Sequence, residues 1–190
     1  MRITGGSLRG RVLIGPGAAK LRPTSDKVRQ AIFNLLEHHP ALAGFSLHGA
    51  RVLDLFAGTG ALGLEAISRG ASYCLFVDDS AQGRALVRRN VEALGLTGVT
   101  KLWRRNAAAP GRLDTLAPFG LAFLDPPYRL GLIEPALNAM EKGEWLLPDA
   151  IIAAESAEDE TIAPPPAYAL LDRRVYGDTT VTLLRACAAG

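Results

Sequence analysis

Residues 125–128 read Asp125-Pro126-Pro127-Tyr128, directly after the apolar run Leu121-Ala122-Phe123-Leu124. That order puts a carboxylate, a backbone lacking N–H donors and an aromatic ring at the end of a predicted strand. The two prolines fix φ and present carbonyl oxygens without competing donors. Such a set suits a planar amino group whose lone pair is conjugated into a ring, as in the exocyclic amine of a nucleobase. The Asp125 carboxylate and the Pro126 carbonyl can accept hydrogen bonds from both amine hydrogens. That draws the nitrogen toward a tetrahedral geometry and frees its lone pair. Tyr128 can stack on the base, worth about 1–3 kcal/mol. Asp125, Pro126 and Tyr128 are the candidate catalytic residues, with Asp125 also suited to take the released proton. A base inside a duplex cannot reach such a pocket, so the target is flipped out or single-stranded. Taken alone, the tetrapeptide equally fits a Pro-rich turn that ends a strand.

A second constellation decides between these readings. Asp54-Leu55-Phe56-Ala57-Gly58-Thr59-Gly60-Ala61-Leu62-Gly63 follows another predicted strand. Its glycines match G-x-G-x-x-G, which by itself only weakly suggests a dinucleotide site. Asp54 argues otherwise, because a carboxylate beside this turn repels a pyrophosphate. S-adenosyl-L-methionine has no phosphate and carries an ammonium that Asp54 attracts. Phe56, Ala57, Gly58 and Gly60 then form the backbone nearest this cofactor, with glycine permitting close approach and positive φ. Asp78 ends the next predicted strand and can accept hydrogen bonds from both ribose hydroxyls; it can also serve as a helix-capping acid. Asn106 follows the third strand and offers its side-chain oxygen to the adenine amine, or is a plain loop residue. Asp125 belongs to the cofactor set as well as the catalytic one.

The elements that position these residues follow from periodicity and punctuation. Residues 1–20 are glycine-rich with a short apolar strand expected at Val12-Leu13-Ile14, and predict a small hairpin or loop extension. A helix over 25–38 is expected from the stripe Val28, Ala31, Ile32, Leu35 and Leu36, capped by Ser25. Strands are then predicted at 52–56, 73–77, 99–103, 121–124 and 151–154. Helices alternate with them at 61–69, 81–94 and 130–142, the second capped by Ser80 and stopped by Gly95. Two final strands, 168–175 and 180–185, read as a hairpin. The β-α-β rhythm implies an α/β fold with a mostly parallel sheet covered on both faces. Residues 1–22 are expected to form a basic extension and 23–190 the main domain.

Composition sets outer bounds. The chain has 190 residues, 48% hydrophobic and 21% charged, as expected of a globular domain. No apolar run approaches the ~18–20 residues of a membrane span, and the start has no apolar signal segment. Cys74 and Cys187 are too few for a disulfide framework and lack metal-ligand spacing. The expectation is a cytoplasmic protein without a metal. Net charge is +2, yet residues 1–30 carry seven basic groups against the single acid Asp26, a balance of +6 that leaves −4 for the remainder. A basic arm on a near-neutral body is the pattern of a nucleic-acid grip, or of a solvated surface.

The opening Met1-Arg2-Ile3-Thr4-Gly5-Gly6-Ser7-Leu8-Arg9-Gly10-Arg11, the Arg22-Pro23-Thr24 loop, the Asp54–Gly63 turn and Asp125–Tyr128 occur here in one order. In that order the chain resembles the RsmD family of bacterial 16S ribosomal RNA guanine-N2 methyltransferases over nearly its full length. The resemblance implies a Rossmann-like class I methyltransferase fold, seven-stranded, with an antiparallel C-terminal hairpin. It also implies S-adenosyl-L-methionine as methyl donor and one guanine of 16S rRNA, free or within an assembling 30S subunit, as target. The chain departs from the family pattern at Asn106, where aspartate is common, and at Asp78, where glutamate is. Arg9, Arg11, Arg22, Thr24, Lys27 and Arg29 are the candidate RNA contacts, and a monomer is expected. Adenine-N6 methylation of DNA or RNA is the competing activity, since Asp-Pro-Pro-Tyr serves there too. A non-catalytic RNA-binding protein would need no intact Asp125.

Overall fold

The computed structural model describes residues 1–17 and 26–187; Arg22, Thr24 and the expected cap Ser25 lie outside the described residues. Seven strands form one sheet: β1 (Arg51–Leu55), β2 (Tyr73–Val77), β3 (Thr100–Trp103), β4 (Phe119–Leu124), β5 (Leu146–Ala157), β6 (Tyr168–Tyr176) and β7 (Thr179–Ala186). Their spatial order is β3-β2-β1-β4-β5-β7-β6. The first five strands are mutually parallel, and β7 inserts antiparallel between β5 and β6. The order reverses between β1 and β4, the crevice where open α/β sheets bind ligands.

Four helices cover the sheet: α1 (Asp26–His38), α2 (Ala61–Ser68), α3 (Ala81–Leu94) and α4 (Ile133–Lys142). Alternate strand residues feed two cores. On one face Val52, Phe76, Phe123 and Leu183 meet α1, α2 and α3 through Phe33, Leu64 and Val87. On the other Leu53, Leu75, Ala122 and Ile152 meet Leu137 and Met140 of α4, with Trp145 after it. The α3 boundaries are those read from sequence. Ser80 Oγ accepts from Gly83 N at 2.9 Å, and Gly95 (φ 71°) closes the helix. Among the described residues, no helix is long and apolar enough to cross a membrane.

Three expectations are corrected. The strand at Val12-Leu13-Ile14 reduces to one bridge, Arg2 to Val12, supported by Ile3 N to Arg11 O and Leu13 N to Met1 O. Helix α4 begins at Ile133, not 130, because Arg129 (φ 61°) and Gly131 (φ 60°) are left-handed and cannot continue a right-handed helix. Strand β5 has twelve residues where four were expected. Polar Glu155 and Ser156 disguised its end, yet they stay in the ladder opposite Val181 and Thr180.

Arg29 is the fourth correction. It was expected on RNA, but it is wholly buried, and its Nε and one terminal nitrogen are bonded internally. Its Nε donates to Glu65 at 3.3 Å, and its terminal nitrogen donates to Asp26 at 2.9 Å and to the Arg2 carbonyl. Glu65, also wholly buried, accepts from Thr4 N, Thr4 Oγ1, Gly5 N and Arg69 Nε at 2.7–2.8 Å. One carboxylate on α2 thus ties down both the N-terminal arm and α1. Replacing Glu65 with alanine removes the buried counter-ion of Arg29 and leaves it the exposed Asp26 as its carboxylate partner. The expected loss is about 3–5 kcal/mol of folding stability, read from urea unfolding.

Candidate active site

The parallel register brings the candidate residues together. Leu55 of β1 pairs with Val77 of β2 and with Leu124 of β4, so Phe56, Asp78 and Asp125 leave three adjacent strands at one level. Val77 also pairs with Trp103 of β3, and Asn106 follows three residues later. The chain leaves β1 through Phe56 (φ 59°), and Ala57 N donates to the Val77 carbonyl at 3.1 Å. Gly58 (φ 55°) and Gly60 (φ 78°) are left-handed, and Gly60 N closes the turn on the Ala57 carbonyl at 2.7 Å. Both glycines adopt the positive φ expected from the sequence.

Two buried carboxylates hold this turn. Helix α2 has no side-chain cap of its own, and Asp54 Oδ2 accepts from Gly63 N in its first turn at 2.9 Å. Asp78 Oδ2 accepts from Gly58 N at 2.8 Å, while its other oxygen accepts from Ser80 N at 2.8 Å. Ser80, not Asp78, caps α3, and each Asp78 oxygen retains a second lone pair. Burial pushes the Asp54 carboxyl well above the ordinary carboxylate range. The Gly63 N–H opposes that shift, and the nearby Asp125 and Asp78 charges add to it. A site with three carboxylates around a glycine turn disfavours an anion and suits a cation.

Gly63 serves packing instead of a ligand: a Cβ there would lie 2.4 Å from the Phe76 ring and 2.5 Å from Cys74 Sγ. The third glycine of the pattern thus lets α2 sit close on β2. Gly83, which the sequence reading passed over, has a related duty. A Cβ there would lie 2.7 Å from Asp78 Oδ2, so the missing side chain leaves room for that carboxylate. Its only signal was the Ser80-x-x-Gly83 spacing at the start of a helix. Asn106 is exposed and its side-chain oxygen accepts from Ala108 N at 2.9 Å, closing a local turn.

Pro126 is buried, and Asp125 and Tyr128 are half-buried. The Tyr128 hydroxyl lies 3.0 Å from Thr179 Oγ1 on β7, which fixes the ring's far end. Next to it, Arg129 N donates to Glu160 Oε1 at 2.6 Å and the Arg129 guanidinium pairs with Asp159 at 3.1 Å. Glu160 also accepts from Ala157 N, binding the loop to the end of β5. Thr179 and Glu160 were not singled out from sequence, because their role exists only once β7 lies beside β5. Arg9, Arg11 and Lys27 are exposed, and Arg11 also donates to the Ala93 carbonyl of α3 at 2.8 Å. A groove of about 510 Å³ between α1 and β6, lined by Asn34, His38, Arg174 and Tyr176 among others, contains none of these residues.

The buried Asp54 charge has a consequence for stability. The folded state binds this proton more tightly than the unfolded chain, whose carboxyl titrates near 3.8. Stability therefore falls as pH rises from that value through the raised folded one, and the loss persists above it. Asp54→Asn keeps an acceptor for Gly63 N and removes the charge. The ligand-free variant is expected to melt higher than wild type at pH 7, by about 2–4 °C for each kcal/mol regained. The gain should vanish below the unfolded carboxyl range, while affinity for a cationic ligand falls. Thermal melts across pH test this, and a lower Tm at pH 7 would count against it.

Comparison with known proteins agrees with this geometry. The family described as conserved hypothetical protein 95 matches residues 1–185. Ribosomal RNA small subunit methyltransferase D of Escherichia coli K12 is 36% identical, with all of this chain and 92% of that protein aligned. The protein of the same name from Haemophilus influenzae is 31% identical over 93% of this chain and 89% of its own. A solved structure described as "Putative methyltransferase yhhF from Escherichia coli" superposes with a TM-score of 0.82 at 32% identity, covering 100% of this chain and 99% of the other. On these matches over nearly its full length, the chain belongs to the conserved hypothetical protein 95 family, the RsmD family of methyltransferases.

Proposed function

We propose that this methyltransferase moves a methyl group from S-adenosyl-L-methionine to the exocyclic N2 of a guanine in 16S rRNA. The observation that carries the proposal is the convergence of Asp54, Asp78 and Asp125 at the ends of β1, β2 and β4, around a glycine turn. This donor set fits a ligand with a cationic amino-acid end and a ribose, not a pyrophosphate. Asp54 supplies negative charge for the ammonium, and the Asp78 oxygens accept from the ribose hydroxyls. Phe56, Ala57, Gly58 and Gly60 would line the path between them, and Asn106 would offer its side-chain oxygen to the adenine amine. The cofactor supplies an electrophilic methyl on a sulfonium.

The remaining chemistry belongs to the chain. Asp125 and the Pro126 carbonyl accept hydrogen bonds from the target amine and orient its lone pair along the line of transfer. Tyr128 presents its ring to the base, with Thr179 holding the hydroxyl. As the N–C bond forms and the S–C bond breaks, the amine loses a proton, which Asp125 accepts or relays to water. Positioning and preorganised charge are the main catalytic contributions. Exposed Arg9, Arg11 and Lys27, with Arg22 and Thr24, would meet RNA phosphates. A monomer acting on 16S rRNA, free or in an assembling subunit, fits this reading.

The rRNA assignment draws on relatives that bear the name ribosomal RNA small subunit methyltransferase D. Asp125→Asn should lower methyl transfer by about 10²–10³-fold or more while leaving cofactor affinity nearly unchanged. Nucleoside mass spectrometry of 16S rRNA from a gene-deletion strain should show the loss of one N2-methylguanosine. Loss of N6-methyladenosine instead would favour the adenine reading, and an unchanged profile would sink both.

A further inference from the structure

The N-terminal arm meets the cofactor turn through one buried side chain. Asn90 of α3 is 1% exposed. Its Oδ1 accepts from Ile14 N at 2.7 Å. Its Nδ2 donates to the Ile14 carbonyl at 3.1 Å and to the Thr59 carbonyl at 2.9 Å. A primary amide has two N–H donors, and both are committed here. Flipping the amide would set NH₂ against a backbone N–H and oxygen against two carbonyls, so its orientation is fixed by chemistry. Thr59 lies between Gly58 and Gly60, the left-handed pair of the turn.

The rest of the arm is anchored elsewhere. Thr4 and Gly5 bond Glu65, Leu8 bonds Ser68, and Arg11 bonds the Ala93 carbonyl. None of those contacts touches the turn. Three residues beyond Ile14 lies Gly17, and the sequence between it and α1 includes Lys20, Arg22 and Thr24. Among the described residues, the basic arm and the cofactor turn thus share a single polar link, and displacing Ile14 would leave the buried Asn90 amide without its arm-side partners, free to shift against the Thr59 carbonyl.

We infer that Asn90 is a positioning residue that couples occupancy of the basic arm by RNA to the geometry of the cofactor turn, so that RNA and cofactor bind cooperatively. This rests on the RNA reading above. By linkage the coupling is reciprocal, and such couplings are typically about 5–150-fold. Asn90→Asp is nearly isosteric and keeps the acceptor for Ile14 N, but it faces two carbonyls with a second acceptor. Ile14→Pro removes the bonded N–H from the arm side and leaves the Thr59 contact in place.

The test measures affinity for S-adenosylhomocysteine by calorimetry, with and without saturating unmodified 16S rRNA fragment, for wild type, Asn90→Asp and Ile14→Pro. In wild type, RNA should tighten product binding by about fivefold or more. In both variants that ratio should fall toward one. An equal loss of affinity with and without RNA would mark Asn90 as merely structural and overturn the inference. Ile14→Pro reports on the same link should Asn90→Asp fail to fold. Methyl transfer to the same RNA by wild type separates the two claims. Transfer without cooperativity removes only the coupling, whereas absence of transfer removes the proposed function and the coupling with it.

Discussion

Asp54 closes the first turn of α2 from a neighbouring strand, not from the helix's own flank. That single contact obliges a carboxylate to sit out of water, beside two others, at the end of the central strand. Beside it the Gly58–Gly60 turn is left-handed, and Gly63 lacks the side chain that would strike Phe76 and Cys74. The grouping of the three carboxylates requires β2 and β4 to end level with β1, which their parallel pairing ensures. A helix N-terminus ordinarily invites an anion. Here that place is already filled from within the protein, and the excess negative charge reverses the preference of the site.

Two kinds of support surround this centre. Toward β2, backbone donors hold Asp78, and Gly83 makes the necessary space. Toward β4, the Asp125–Tyr128 loop is fastened from outside, by Thr179 of β7 and Glu160 after β5. The antiparallel strand β7 is what brings Thr179 to that loop, so the final hairpin acts as a brace for the reactive end of β4. The ends of the chain and its centre are thereby made to depend on one another.

Much of this was legible in the sequence because it was local. The spacing of Asp54, Gly58 and Gly60 encodes a turn within a few residues, and Asp78 and Asp125 each close a run of strand-forming residues. The expected seven-stranded α/β sheet with its antiparallel hairpin is the one observed. What stayed hidden was decided across long stretches of chain. Arg29 looks no different from Lys27 in a basic segment, yet its fate depends on Glu65, 36 residues away. Polar Glu155 and Ser156 read as loop until β7 pairs with them. Asn90 carried no signal, since both its partners are backbone groups that any residue provides.

The arm's anchors have a bearing on how the chain is made. Thr4, Gly5 and Ile14 leave the ribosome well before Glu65 and Asn90 exist, with 76 residues separating Ile14 from Asn90. At ordinary synthesis rates of about 5–20 residues per second, that interval is on the order of 4–15 s. Through it a cationic, glycine-rich segment lacks the partners that hold it in the fold while it emerges close to the negatively charged RNA of the ribosome. The order of synthesis thus gives the arm a polyanion before it gives it a carboxylate, and completion of α2 and α3 is what draws it home.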